Sequence, residues 1–295
     1  MNFLYSKRKV FETLKYGGPI NLIRFLMFFL KIKNFAKNLK TYSKVSNTSA
    51  TDSEFMRDYA EVSKYLAQNR FAFNSFRRDI NIINAYDHVT YFQAMQYVDI
   101  VKRRGHDNLF IKKSNIGKPA FYSFSSTSLK LDTLDCRNTK VVSDLKILFG
   151  DSLSKMKLIE CGGGFGSLAN NITINFPKIS KYSIYDLPSV LILSKLYLNT
   201  VSKYPFRFLN GQIVKELKGD LFISNYAFCE LSREHQDFYL TKVIDNCKHG
   251  YITWSPVSEE SLGGYSLSEI IRRIKRANIM DERPLTGARN CIIYW

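Results

Sequence analysis

Residues 157–166 read Lys-Leu-Ile-Glu-Cys-Gly-Gly-Gly-Phe-Gly, and this stretch decides the fold. A short apolar run is followed at once by an acid, Glu160, and then by glycines at alternate positions. An apolar run that ends in glycines is typical of a buried strand that turns directly into a helix. Glycine allows a tight turn and leaves main-chain N–H groups open to a ligand. Residues 167–176 are predicted to form the helix whose N-terminus faces that ligand.

Two well-known phosphate-binding loops use such a turn, and neither matches this one. A Walker loop requires Gly-Lys-Ser/Thr, but Gly166 is followed by Ser167 with no lysine. A dinucleotide fingerprint requires Gly-x-Gly-x-x-Gly, whereas Gly162, Gly164 and Gly166 follow the spacing Gly-x-Gly-x-Gly. An ordinary glycine-rich turn without a ligand is also open at this point, because short motifs give false positives.

A second acid follows at a distance that nucleotide-binding folds use. Asp186 ends another predicted strand, residues 181–186, and lies 20 residues after Gly166. A carboxylate at the end of the second strand can accept both ribose hydroxyl protons of an adenosine. Pro188 fits the first turn of the helix that comes next. The glycine turn and the spaced acid together predict an adenosine-containing ligand.

The turn after Glu160 resembles the first motif of class I S-adenosylmethionine-dependent methyltransferases. The resemblance implies that Glu160, or water that it holds, meets the methionine end of the cofactor, and that the glycines lie under the sulfonium and ribose. The sequence Asp-Leu-Pro at 186–188 resembles a motif of O-methyltransferases, in which the residue after the acid lines the adenine. The predicted cofactor is therefore S-adenosylmethionine. Its predicted contacts are Glu160, Gly162, Gly164, Gly166, Asp186, Leu187 and Asn225.

Strands and helices alternate after the glycine turn, which predicts a parallel sheet with helices on both faces. Two closing strands, at 279–283 and 290–295, predict a hairpin and so one antiparallel strand, as class I methyltransferases have. The predicted fold class is α/β, a Rossmann-like methyltransferase sheet that is mostly parallel, with a C-terminal antiparallel hairpin and an N-terminal helical region.

Three regions are predicted along the chain: a basic, partly amphipathic leader at 1–45, a helical cap region at 46–138, and the cofactor-binding domain at 139–295. Apolar residues at helical spacing predict three helices between residues 54 and 104. Residues 107–138 are predicted to be irregular or partly extended, with loops at 115–119 and 123–128. A helix over 139–150 then leads into the first strand of the sheet.

The charge of the chain is concentrated near its N-terminus. The formal net charge is +17, and residues 1–44 hold ten Lys or Arg against one acid, which leaves 17 − 9 = +8 for the rest. The apolar stretch 20–30 is interrupted by Arg24 and is too short to cross a bilayer, which takes about 20 apolar residues. It predicts peripheral contact with an anionic membrane, or a helix docked on the protein or on a second subunit in a homodimer.

Five scattered cysteines, with no Cys-x-x-Cys pair, favour free thiols in a reducing cytoplasm over disulfides or a zinc site. No spacing of His, Cys, Asp and Glu suggests a bound metal ion. Hydrophobic residues make up 45% of the chain, which is enough for a globular core.

The acceptor of the methyl group is expected after the fourth predicted strand, in residues 224–235. A hydroxyl acceptor needs a group that takes its proton. Plant small-molecule O-methyltransferases carry His-Asp-Trp here, and the match places Cys229 at the histidine and Glu230 at the aspartate. The first catalytic candidate is Glu230, as proton acceptor or substrate anchor, followed by Tyr226 and His235. A helix-capping role for Glu230 is the alternative.

The order of motifs over residues 80–295 resembles the sugar O-methyltransferases of bacterial surface-polysaccharide synthesis. The motifs are the loop at 115–119, the glycine turn, Asp-Leu-Pro, and Ser-Asn-Tyr-Ala-Phe-x-Glu-Leu at 224–231. The resemblance implies transfer of a methyl group to a sugar hydroxyl of a polysaccharide or its nucleotide-linked precursor, in the cytoplasm or at the inner face of the membrane.

Other functions stay open at the level of sequence. The positive charge suggests a nucleic-acid methyltransferase, but amino-methylating DNA enzymes show a Pro-Pro pair where this chain has Ser-Asn-Tyr-Ala, so no nucleic-acid partner is expected. A methyltransferase of another small molecule, or a protein that binds the cofactor without catalysis, is the remaining alternative.

Overall fold

The computed structural model describes residues 54–79, 82–83, 89–111, 114–213 and 217–295, with the side chains of α1 described from Tyr59 onward. The predicted basic leader, and the middle of the three predicted N-terminal helices apart from its residues 82–83, lie outside this part of the chain. The chain divides into two compact units, and the boundary lies between Lys140 and Val141. No helix in the described ranges is long and apolar enough to cross a membrane.

The helices of the described residues are α1 Glu54–Gln68, α2 Arg70–Phe73, α3 Tyr91–Arg103, α4 Thr133–Phe149, α5 Ser167–Asn175, α6 Pro188–Val201, α7 Arg233–Lys242, α8 Val257–Ser261 and α9 Leu267–Arg273. The strands are β1 Tyr122–Phe124, β2 Thr127–Leu131, β3 Lys157–Cys161, β4 Lys181–Asp186, β5 Arg207–Asn210, β6 Gly219–Asn225, β7 Cys247–Trp254, β8 Asn278–Asp281 and β9 Cys291–Tyr294. Short 3-10 helices include Gly150–Lys155, Ala227–Glu230 and Ile244–Asn246.

The second unit is built on a seven-stranded sheet, in the order β5-β4-β3-β6-β7-β9-β8 within the described residues. Strands β3 to β7 run parallel to one another, and β9 pairs antiparallel with both β7 and β8. The fold prediction is therefore confirmed, including the antiparallel strand in a C-terminal hairpin. The sheet order reverses between β3 and β6, which is the place where sheets of this kind bind ligands.

The strands at the centre of the sheet are buried on both faces, as expected for parallel strands covered by helices. In β3 only the first residue, Lys157, is exposed. Phe222 in β6 and Trp254 in β7 belong to one continuous apolar cluster, which also includes Trp295 after β9. The core thus fixes the positions of β3, β4 and β6, the neighbouring strands whose carboxyl ends form the candidate site.

The first unit contains a β-hairpin where the sequence predicted loops, so the prediction of a loop at 123–128 was wrong. Tyr122 and Phe124 are buried, and the ring of Tyr91 in α3 stacks on Phe124 with centroids 5.3 Å apart. The serines and threonines that suggested a loop are turned outward or form the two-residue turn. Strand β1 has only three residues, so its alternation of buried and exposed side chains is not recognisable among the surrounding serines and threonines.

Helix α4 begins at Thr133, six residues before the predicted start at 139. The Asp132 carboxylate accepts a hydrogen bond from the main-chain N–H of Asp135 at 3.0 Å, which caps the helix. Asp132 also forms a buried ion pair with Arg77 at 2.6 Å. The first two turns of α4 are buried although they are mostly polar, and for that reason the search for an apolar face missed them.

Gly250 in β7 lets the ring of Trp295 lie directly against the strand. A Cβ at this position would lie 2.0 Å from the ring of Trp295. We expect Gly250→Ala to lower the free energy of unfolding by about 1–3 kcal/mol, because the indole would have to move within a packed core. Urea denaturation measures this change.

Lys248→Ala is the matched control, because Lys248 lies on the same strand with its side chain exposed. The control should stay within about 0.5 kcal/mol of the parent protein. Equal stability of both variants would show that Trp295 does not pack on β7 in solution.

Candidate active site

The turn after β3 requires glycine at two positions for steric reasons. Gly162 has φ 74° and Gly166 has φ 93°. A Cβ on Gly162 would lie 2.0 Å from Cβ of Ala227, and one on Gly166 would lie 2.7 Å from the side chain of Leu198 in α6. The glycines therefore bring the turn against the end of β6 on one side and against α6 on the other.

Asp186 ties this turn to the end of β4. Its Oδ2 accepts a hydrogen bond from the Gly164 N–H at 2.8 Å, and its Oδ1 accepts one from the Leu187 N–H at 2.8 Å. Desolvation by the surrounding protein raises the pKa of the Asp186 carboxyl to about 7, against the two main-chain hydrogen bonds that lower it. Glu230 raises this pKa further through charge repulsion.

Glu160 lies beneath the turn and is buried. Its Oε2 accepts a hydrogen bond from the Tyr182 hydroxyl at 3.0 Å. Desolvation raises the pKa of the Glu160 carboxyl to about 8, while the bond from Tyr182 lowers it. Tyr182 was not predicted as a site residue. The register could have suggested it, because Tyr182 on β4 pairs with Leu158, which is two residues before Glu160 on the same face of the sheet.

Tyr226 follows β6 and has an unusual backbone conformation, with φ 74°. Its hydroxyl donates a hydrogen bond to Oε1 of Glu282 and lies 3.0 Å from Oγ1 of Thr286. Oε2 of Glu282 accepts from the N–H and the hydroxyl of Thr286 at 3.0 and 2.7 Å. Glu282 is a buried carboxylate that the sequence analysis missed. The one feature that could have indicated Glu282 is its position just after β8, at the carboxyl edge of the sheet.

The other predicted site residues lie in different surroundings. Asn225 accepts a hydrogen bond from the Thr253 hydroxyl at 2.9 Å. His235 lies in the first turn of α7, where Nδ1 is 2.9 Å from the Ser232 hydroxyl. Glu230 is exposed to solvent and near enough to Asp186 to raise its pKa. Ser232 occupies the N-cap position of α7, without a capping hydrogen bond from its side chain.

The thiol of Cys229, which the sequence match places at the histidine of plant O-methyltransferases, cannot act as a base. Its thiol is completely buried and 3.6 Å from the Thr253 carbonyl oxygen. Burial raises the pKa of the Cys229 thiol well above its usual value, so the thiol stays protonated. All five cysteines of the chain are free and buried. Among the described residues, no group of His, Cys, Asp and Glu is arranged to hold a metal ion.

The family model of the O-methyltransferase domain matches residues 99–252, which is more than half of the chain. The chain belongs to this family. It is therefore an S-adenosylmethionine-dependent methyltransferase. The glycine turn and Asp186 both lie inside the matched residues.

Among solved structures, similar ones include the pyocyanin biosynthetic protein PhzM, with 14% identity over 55% of this chain and 55% of that chain, at a TM-score of 0.40. The structure of human N-acetylserotonin methyltransferase in complex with SAM shows 14% identity over 73% of this chain and 68% of that chain, at a TM-score of 0.36. The structure of PigF with SAH shows 13% identity over 74% of this chain and 73% of that chain, at a TM-score of 0.39. No curated protein matches the chain by sequence. The family assignment rests on the family model.

The residues at the carboxyl edge fit the cofactor of this family. Each oxygen of Asp186 accepts one main-chain N–H and keeps a lone pair for a ribose hydroxyl. S-adenosylmethionine supplies an electrophilic methyl group on a positively charged sulfur. The buried Glu160 and the carboxylates of Asp186, Glu230 and Glu282 make this edge suitable for a cation. Because methyl transfer is an in-line displacement, catalysis depends mainly on the alignment of the acceptor with the methyl group.

We expect Asp186→Ala to weaken binding of S-adenosylhomocysteine about thirtyfold, because two hydrogen bonds to a charged group contribute about 2 kcal/mol or more. Calorimetry with the purified chain measures the loss. Asp220→Ala is the matched control, because Asp220 is a carboxylate at the opposite edge of the same sheet, where it accepts the Lys157 N–H. Unchanged affinity in Asp186→Ala would exclude Asp186 as the ribose ligand.

Glu160 predicts a specific dependence of stability on pH. Its pKa is raised from 4.5 to about 8 in the folded protein. Between these values the folded state holds a proton that the unfolded state has lost, so this group makes the protein less stable as pH rises through that window. In Glu160→Gln, the Tm of the cofactor-free protein should fall less steeply between about pH 5 and pH 8. Glu234→Gln, an exposed control in α7, should keep the parent slope, and an equal slope in both variants would contradict the burial of an ionisable Glu160.

Proposed function

We propose that this enzyme transfers a methyl group from S-adenosylmethionine to a sugar hydroxyl of a bacterial surface polysaccharide or its precursor. The observation that carries the proposal is the exchange at the end of β6. The sequence match places the buried, protonated thiol of Cys229 where plant O-methyltransferases have their catalytic histidine, and the next residue, Glu230, is an exposed carboxylate whose charge raises the pKa of Asp186. An exposed carboxylate can accept hydrogen bonds from neighbouring sugar hydroxyls.

The motif order of the sugar O-methyltransferases supports the same acceptor. The turn at 160–166, the Asp-Leu-Pro at 186–188 and the segment 224–231 all lie at one edge of the sheet, at the carboxyl ends of β3, β4 and β6. In the proposed arrangement, Glu230 binds the acceptor sugar and takes the proton of the reacting hydroxyl. Tyr226 is the second candidate for this proton, and His235 is the third.

The alternative of a nucleic-acid substrate rests on the net charge alone. At the carboxyl edge of the sheet the structure places the exposed Glu230, with Asp186 and Glu282, and these acids repel a polyanion when they are ionised. A sugar with a neutral or weakly charged acceptor group suits this edge better. We propose that the enzyme works in the cytoplasm, where nucleotide-linked sugars are made.

The first test is calorimetry with S-adenosylhomocysteine, with NAD as the control ligand. Transfer of a labelled methyl group is then measured on a panel of nucleotide sugars and bacterial polysaccharides, with RNA, DNA and small phenols as competing acceptors. Label in the sugar fraction is expected. Label in nucleic acid or phenols and none in sugars would overturn the proposed substrate class while leaving the family assignment intact.

Once an acceptor is found, Glu230→Gln tests the role of Glu230. We expect kcat to fall about a hundredfold or more, as is usual when a general base is lost, with little change in affinity for S-adenosylhomocysteine. Glu234→Gln changes an exposed carboxylate four residues away on α7 and serves as the matched control. A fully active Glu230→Gln enzyme would remove Glu230 as proton acceptor and leave Tyr226 as the next candidate.

A further inference from the structure

The amino edge of the sheet, opposite to the candidate active site, carries a row of lysines. Lys157 and Lys181 are the first residues of β3 and β4, Lys218 directly precedes β6, and Lys248 is the second residue of β7. Lys155 and Lys178 lie in the short segments that lead into β3 and β4. We call Lys155, Lys157, Lys178, Lys181, Lys218 and Lys248 the basic edge. All are exposed except Lys181, which is half-buried.

Two lysines of the basic edge are held side by side by the sheet itself. Lys157 and Lys181 are direct partners in the parallel pairing of β3 with β4, and neighbouring strands lie about 4.8 Å apart. Like charges on directly paired residues are destabilising. An external anion that binds both ammonium groups would relieve this repulsion.

The carboxylates nearby neutralise only part of the basic edge. Asp220 forms an ion pair with Lys248 at 2.8 Å and also accepts the Lys157 N–H. Asp245, just before β7, is paired with Arg273. In the part of the chain that the structure describes, no ion pair joins the other five lysines of the basic edge to a carboxylate.

The shape and composition of the basic edge favour a flat anionic surface. One residue separates the 3-10 helix Gly150–Lys155 from β3, and β7 begins directly after the 3-10 helix Ile244–Asn246. Among the described residues, these two connections are too short to project beyond the amino ends of β3 and β7. The row consists of lysines, which act as compact point charges and do not make the bidentate contacts by which arginine selects single phosphates. Charged lipid headgroups attract such a row without any specific pocket.

We propose that the basic edge docks the catalytic unit on an anionic lipid bilayer. The carboxyl edge then faces away from the lipid, because it lies at the other end of the same strands. The two edges are separated by the length of a strand, which is about 17 Å for a strand of five residues such as β3. In this orientation the enzyme reaches acceptors in the aqueous phase next to the membrane. The proposal concerns a surface away from the active site and does not depend on which acceptor is methylated.

The test is sedimentation of the full-length chain with phosphatidylcholine vesicles, with and without phosphatidylglycerol. The variant Lys157→Gln/Lys178→Gln/Lys181→Gln removes three charges from the basic edge. Its partition onto the anionic vesicles should weaken about a hundredfold if the three lysines act independently. Binding should also weaken as salt is added.

The matched control is Lys64→Gln/Lys130→Gln/Lys195→Gln, which removes the same charge from exposed positions elsewhere. It should keep most of the binding, and both variants should keep the parent affinity for S-adenosylhomocysteine. The proposal is overturned if neither vesicle binds the parent protein, or if the two variants bind the anionic vesicles equally well. It is also overturned if soluble heparin binds through the same three lysines and anionic vesicles do not.

Discussion

Everything at the carboxyl edge depends on the contact between the Asp186 carboxylate and two main-chain N–H groups. One of these belongs to Gly164 in the turn after β3, and the other to Leu187 at the start of α6. A single side chain thereby holds together the ends of two strands and the start of a helix. The same carboxylate keeps unused lone pairs toward the edge, so the group that organises the turn is also able to bind a ribose.

The acids of this edge illustrate how function competes with stability. Burial raises the pKa values of Glu160 and Asp186 to about 8 and about 7, which means that both carboxyls resist ionisation in the folded protein. A core built for stability alone would place apolar residues there. Their positions are explained if the free energy lost in the cofactor-free protein is recovered when a cation binds nearby.

The features that depend on neighbouring residues and their spacing were predictable from the sequence. The glycine turn and Asp186 depend on residue type and spacing, and the sheet follows from the alternation of strands and helices. Contacts between distant segments were not predictable in this way. Tyr182 becomes the partner of Glu160 only through strand register, and Glu282 meets Tyr226 across 56 residues of chain. The start of α4 was missed because its buried face is polar, and a polar stretch is typical of a loop when only the sequence is known.

The insertion of β9 between β7 and β8 has a consequence for how the chain is made. A ribosome releases β7 first, then β8, and β9 last, yet β8 joins the sheet only through β9. Until residues 291–294 are available, the outer edge of β7 has no strand beside it, and β8 has nothing to pair with. Unpaired edges of this kind favour association between chains. The nascent chain therefore passes through a stage in which β8 has been made while the outer edge of β7 is still open, and at that stage β7 can pair with a strand of another chain.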